Sequence, residues 1–226
     1  MRQPLENGEI YHIYNRGVEK RNIFSNSHDV ARFLESMREF NAREPIGSLY
    51  QHSFRKQANL LSGETAKSEK LVEIIAYCLN PNHFHFVLRQ VSDRGISEFM
   101  KRVSGGYTWY FNHKNKRSGA LFQGTFKSKH IPTNVYLLHV SAYVNLNNEV
   151  HRLPKNDALF SGSSRSSWVE YMWTGKKRKE ADICMKESIL GQFKSRKEYE
   201  KFAMNSLQGI MEKKKLRREM EALLLE

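Results

Sequence analysis

Cysteine is scarce in this sequence: there are two, Cys78 and Cys184, far apart and in no CxxC pair. That excludes a disulfide scaffold and a cysteine-based zinc finger, and it suits a reducing compartment. Long apolar runs are missing as well. No uncharged apolar stretch reaches the ~18 residues that a membrane span needs, and Met1 to Glu9 lacks the apolar segment of a secretory signal. The expectation is a soluble, cytoplasmic protein with no membrane partner. Acidic residues are in deficit, 24 against 37 Lys plus Arg, for a formal charge of +13 on 226 residues. So large a surplus attracts polyanions, and nucleic acid is the commonest of these for a soluble protein. A basic enzyme of unrelated chemistry would carry the same charge. What is present in quantity is apolar and aromatic material, 39% and 12%, enough for a packed core.

Glu9 to Asn15 alternates as a strand, with Ile10, His12 and Tyr14 set against Tyr11 and Ile13. The turn Asn15-Arg16-Gly17 closes it, with glycine offering positive φ. Ser27 to Asp29 can cap a helix bearing Val30, Phe33, Leu34, Met37 and Phe40. Arg43 to Lys70 is polar and irregular, read as a surface loop or an insertion with a short helix. Leu71 to Leu79 is rich in Val and Ile and predicts a buried strand. Asn80-Pro81-Asn82 turns the chain, and His83 to Leu88 returns antiparallel to it. A helix opens at Gly95 and Ser97, with Phe99, Val103, Tyr110 and Phe111 on one side, and ends over Asn115 to Gly119. Leu121 to Ile131 predicts a strand stopped by Pro132. Thr133 or Asn134 then caps a helix with the apolar stripe Val135, Leu138, Ala142 and Leu146. The order β-α-β-β-α-β, then a helix, predicts an α+β, ferredoxin-like (split βαβ) antiparallel sheet with helices on one face. Residues 1–153 form the expected domain, with an insertion at about 43–70. Residues 154–226 form an extension: a loop around Ser161 to Ser167, then a basic helical tail from about Ser195 to Glu226.

Three constellations carry chemistry. His83 and His85 lie two apart on a strand, so both imidazoles project from one face and Phe84 and Phe86 from the other. Two neutral imidazoles are half of a metal site, and equally an ordinary hydrogen-bonded pair. Tyr143 and Asn147, four apart, are neighbours on a helix, with His139 one turn earlier. A tyrosine so placed can attack phosphorus through its phenolate. Tyr136 lies on a similar face, and helical geometry does not choose between the two. The third constellation is basic and aromatic: Lys101, Arg102, Lys114, Lys116, Arg117, Lys127 and Lys129 surround Tyr107, Trp109, Tyr110, Phe122 and Phe126. Cations follow phosphates and rings stack on unpaired bases, though several of these rings belong in the core. Lys213-Lys214-Lys215 with Arg217 and Arg218 reads as a solvated helix face or as a grip on a nucleic-acid backbone.

The stretch Tyr77 to Leu88, YCLNPNHFHFVL, resembles the HUH segment of the REP-associated tyrosine transposases, which are insertion-sequence-200-like, single-tyrosine enzymes. Three further blocks agree in order: Tyr14-Asn15-Arg16-Gly17; Tyr110-Phe111-Asn112 with Arg117-Ser118-Gly119 and Leu121 to Ser128; and Tyr143-Val144-Asn145-Leu146-Asn147. The likeness spans about residues 9 to 170, including Ser166-Ser167-Trp168. It implies that His83 and His85 bind a divalent metal, Mg²⁺ or Mn²⁺, with Asn147 as third ligand or orienting group. It makes Tyr143, rather than Tyr136, the nucleophile. The implied reaction cleaves single-stranded, hairpin-forming DNA, leaves a 5′-phosphotyrosine and a free 3′-hydroxyl, and reverses without ATP. Arg16, Lys127 and Lys129 are expected on flanking phosphates, with Lys101, Arg102 and Arg117 as further DNA-binding candidates. The family's proline after the helix asparagine is Asn148 here, which changes how that helix ends. Relatives include dimers that exchange the tyrosine helix and monomers that do not. Two other readings use the same residues: a non-catalytic single-strand-binding module, and a small zinc protein built on His83 and His85.

Overall fold

The computed structural model describes residues 4–62, 69–151, 165–175 and 182–223. Four strands, β1 (Ile10–Arg16), β2 (Val72–Asn80), β3 (His83–Gln90) and β4 (Lys127–His130), form one sheet in the order β2-β3-β1-β4. Every neighbouring pair is antiparallel. Helix α1 (Ser27–Glu39) connects β1 to β2, followed by α2 (Leu49–Ser62), and α3 (Gly95–Lys114) connects β3 to β4. This is the expected split βαβ arrangement.

Strand alternation decides what each face receives. Phe84 and Phe86 point to the side where Phe33 of α1 meets both rings, at 5.6 and 6.2 Å between centroids. Tyr107 of α3 stands edge-on to Phe33 at 4.9 Å, so both crossover helices cover this face. The helix after β4, α4 (Asn134–Asn145), packs on the opposite face, where His83 and His85 project.

Several local expectations change in physical detail. The cap of α1 is Asn26, one residue before the expected stretch. Its side chain accepts the Asp29 N–H, and the Asp29 carboxylate accepts the Asn26 N–H, a reciprocal box. Gly17 has φ −62°, not a positive value. Glycine is required there because an added Cβ would lie 2.3 Å from the Arg21 carbonyl oxygen; the positive φ angles fall on Glu19 and Lys20. The strand expected over Leu121 to Ile131 shrinks to β4, with a single bridge from Phe122 to Gly17, because Gly124 at φ +65° interrupts the extended run. Tyr107, not Tyr110, occupies the core stripe of α3, and its hydroxyl donates to the Ile23 carbonyl.

The buried stripe of α4 is broader than the sequence predicts: Ala142 and Leu146 are buried and Leu138 packs against the core, as expected. Val135 is exposed, and the buried positions are Leu137, Val140, Ser141, Ala142, Val144 and Asn145. The cause is burial on two sides: the sheet lies beneath α4, and the C-terminal helix α8 (Arg196–Leu223) lies along it. After α4, Asn147–Val150 form a separate helical turn, α5, broken from α4 at Leu146 (φ −109°, ψ 17°).

Beyond these, α6 (Trp168–Met172) and α7 (Glu187–Leu190) belong to the extension. Most of the loop expected at Ser161 to Ser167 lies outside the described residues. What is described seals the open edge of β2, which would otherwise present unpaired backbone groups. Along that edge the Leu79 N–H donates to the Arg165 carbonyl, the Tyr77 N–H donates to Ser167 Oγ, and the Ile74 carbonyl accepts the Met185 N–H. Buried Glu170 accepts the Ile183 and Cys184 N–H groups and the Tyr77 hydroxyl. Tyr171, Ile189 and Tyr199 share the hydrophobic core of the sheet. The polar stretch Arg43 to Lys70 contains α2, tied to α1 by Glu39, which binds His52 and Lys56.

Candidate active site

Cross-strand register builds the site. Tyr14 of β1 is opposite His85, Arg16 is opposite His83, and on the other side His12 and Tyr14 are opposite Lys129 and Lys127. Residues directly opposite share a face. One side of the sheet therefore carries two histidines from β3, a histidine, a tyrosine and an arginine from β1, and two lysines from β4. A cleft of about 450 Å³ opens here, lined by Tyr14, Arg16, His83, His85, Lys127 and His151 among others.

The histidines are closely coupled. His85 is nearly buried, and its Nδ1 lies 2.9 Å from His12 Nε2, with the two rings stacked at 5.1 Å. His83 and His85 are 5.2 Å apart, ring to ring, and His151 stands 5.0 Å from His83. His83 Nδ1 pairs with Asn82 Oδ1 at 2.7 Å, and its Nε2 with Asn80 Nδ2 at 3.0 Å. Burial disfavours the charged form of each ring. It pushes His12 down to about 4, aided by the Lys129 charge. It pushes His83 down to about 4, aided by His151 and opposed by Asn147. His85 is held well below its ordinary value by burial and then by His12. All three are neutral at pH 7.

Tyr143 reaches this cluster from α4. Its ring stands edge-on to His85 at 5.7 Å and to His12 at 6.0 Å. Burial raises its pKa, and the nearby Asn147 amide acts the other way by favouring the phenolate. Asn147 is fully buried; its Oδ1 accepts from Asn80 Nδ2 at 2.7 Å, while its own Nδ2 makes no hydrogen bond. Tyr136, the competing tyrosine, sits instead under Lys129, whose Nζ lies 5.3 Å from its ring centre. His139 turns away to bond Ser206 on α8.

The structure thus gathers Tyr143, His83, His85, Asn147, Arg16, Lys127 and Lys129. It separates Lys101, Arg102 and Arg117 from them: α3 lies on the phenylalanine face, and Arg117, just past its end, lies over the ring of Phe111 on that helix. Arg102 clasps Glu98 and the carbonyls of Ala42 and Arg43. Lys101 pairs with Glu98. Arg117 binds Asn112 and the Ala120 carbonyl. Of the candidate stacking rings, Tyr107 and Phe122 are core, and Trp109 is exposed on α3, stacked on His113.

Three residues at the site were not singled out by sequence: His12, Tyr14 and His151. Tyr14 stacks on His85 at 5.8 Å, as near as Tyr143. The available signal was the alternation of His12 and Tyr14 in the first strand, which places them on one face without saying which face the β3 histidines share.

As electron-pair donors for a divalent cation, two neutral imidazoles are suitable, and the Asn147 amide oxygen, which accepts one hydrogen bond from Asn80 Nδ2, has a second lone pair to offer. Among the described residues no three His, Cys, Asp or Glu side chains are grouped to hold a metal, so the fit rests on His83 and His85 with Asn147.

Residues 47–147 match the family model described as Transposase IS200 like. None of the curated proteins matches the chain. Among solved structures, a REP-associated tyrosine transposase bound to a REP hairpin aligns at 13% identity and TM-score 0.48, covering 81% of this chain and 95% of that one.

Proposed function

We propose, from the match of residues 47–147 to the family model described as Transposase IS200 like, that this protein is a transposase of that kind and that it cleaves and rejoins single-stranded, hairpin-bearing DNA through Tyr143. The observation that carries the reading is the convergence of Tyr143 with His85 and His12, 5.7 and 6.0 Å away, beside a cleft rimmed by Arg16 and Lys127.

In this reading Arg16, Lys127 and Lys129 hold the phosphates flanking the scissile one. The Tyr143 oxygen attacks phosphorus in line; the P–O bond to tyrosine forms as the bond to the 3′-oxygen breaks. Burial keeps the phenol neutral at rest, so its proton passes to solvent as attack proceeds, with Asn147 favouring the developing phenolate charge, and the departing 3′-oxygen takes up a proton from solvent. The products are a 5′-phosphotyrosine and a free 3′-hydroxyl, and a second 3′-hydroxyl reverses the step. His83, His85 and Asn147 would hold Mg²⁺ or Mn²⁺, which when bound polarises a non-bridging phosphate oxygen.

The test is incubation of the purified protein with end-labelled hairpin-bearing single strands, with Mn²⁺, with Mg²⁺ or with EDTA. A covalent adduct at the 5′ end that forms only with the divalent ion supports the reading. Binding without an adduct across a broad library of single strands would leave a bare binding module instead.

A further inference from the structure

We propose that His12 is a positioning residue that fixes the tautomer of His85 and so aims the His85 Nε2 lone pair into the cleft; this rests on the ligand role proposed above for His85.

The argument begins with a proton count. His12 Nε2 and His85 Nδ1 are 2.9 Å apart with their rings stacked, so one nitrogen carries the hydrogen and the other the lone pair. As a neutral imidazole, each ring has one N–H to place. If His12 donates, the His85 proton sits on Nε2, and no lone pair is left for a cation. If His85 Nδ1–H donates, Nε2 is bare. Only the second arrangement gives a ligand, and it requires His12 to act as acceptor. Outer partners that fix a ligating imidazole in this way are usually carboxylates or carbonyls. A neutral imidazole does the same without adding negative charge next to a site meant for a phosphate. The fold supplies the pairing: His12 is opposite Val87, one pleat from His85 and on the same face. Lys129 lies opposite His12 on the other side, so the strand pairing holds His12 between β3 and β4.

Gln in place of His12 reaches about as far as Nε2 and offers an accepting oxygen, whereas Leu fills similar space with no acceptor. The experiment combines nitrogen-15 NMR of the histidine rings in metal-free wild type with Mn²⁺ titrations of wild type, His12→Gln and His12→Leu, followed by electron paramagnetic resonance of free Mn²⁺. The expected results are a His85 ring protonated at Nδ1, near-wild-type Mn²⁺ affinity for His12→Gln, and a loss of about 10–100-fold for His12→Leu, the usual effect of removing an outer partner. A His85 ring protonated at Nε2 in the wild type overturns the proposal without reference to either variant's folding. Equal Mn²⁺ affinity in wild type and His12→Leu also overturns it while leaving the cation role of His85 standing. No Mn²⁺ binding by wild type removes both.

Discussion

The Tyr199 hydroxyl of α8 accepts a hydrogen bond from Asn145 Nδ2 of α4 at 2.9 Å, the residue two beyond Tyr143. Ser141 Oγ donates to the Leu138 carbonyl, so at 3.2 Å it is an acceptor for the Tyr199 proton. Asn145 Oδ1 is in turn bound by Ser167, whose Oγ accepts the Tyr77 N–H of β2. The helix that carries Tyr143 is thereby fastened to the sheet edge and to the C-terminal helix through one buried polar chain. Networks of this kind rigidify when every member is satisfied and are costly when one is not.

Tyr199→Phe should therefore destabilise the protein by about 1–3 kcal/mol, since it leaves the buried Asn145 amide without its acceptor. Urea unfolding checks this. Asn145→Ala should cost a similar amount, and the double variant less than the sum of the two, because both remove the same bond. Additive losses would show that the two residues are not coupled.

Three tyrosines stand near the histidine face, and they should behave differently. Tyr143→Phe should abolish the covalent DNA adduct while single-strand binding stays within about threefold, because a phenyl ring keeps the packing and lacks the nucleophile. Tyr14→Phe and Tyr136→Phe should retain the adduct. An adduct lost in Tyr14→Phe and kept in Tyr143→Phe, read on a denaturing gel, would move the chemistry to β1.

The parts of this arrangement that sequence discloses are those set by local period. His83 and His85 share a face because strands alternate, and Phe84 and Phe86 mark the other face as core. The strand and helix order was legible for the same reason. His12 was not legible as a site residue, because its partner is 73 positions away and strand pairing is not written in either segment alone. The stripe of α4 was read only in part, with Val135 exposed, because a helix buried against both a sheet and α8 loses the one-sided pattern that an amphipathic reading expects. Lys101, Arg102 and Arg117 looked like phosphate ligands by composition. Placing them required knowing which face α3 covers.

That separation makes a testable contrast in DNA binding. Replacing Lys127 and Lys129 with Gln should flatten the dependence of log affinity on log salt, by about 0.7 for each phosphate of a single strand left without its cation. Lys101→Gln should leave that slope unchanged, as its nearest partner is Glu98 on the far face. Fluorescence anisotropy at several salt concentrations reads both. Equal effects would show that strands also track over α3.

Acid should destabilise the site in a definite window. Burial pushes His12 and His83 down to about 4 in the fold against 6.5 ordinarily, so between these values the unfolded chain binds protons that the folded chain refuses. Their contribution is complete above pH 6.5 and is lost as pH falls toward 4. One pKa unit corresponds to about 1.4 kcal/mol; with a discount for the part of each ring open to solvent, the pair is worth on the order of 2–3 kcal/mol. Glu170 runs the opposite way, since burial raises its pKa and acid then favours the fold, so the wild-type curve alone mixes the two. The informative quantity is the difference between wild type and His83→Gln, measured by urea unfolding at pH 7, 5.5 and 4.5. The wild type should lose more stability than the variant over that range, because the variant has one fewer neutral imidazole to protect. Parallel curves would mean that His83 is free to take up its proton in the folded state, and its readiness to serve as a neutral ligand would then lose its physical basis.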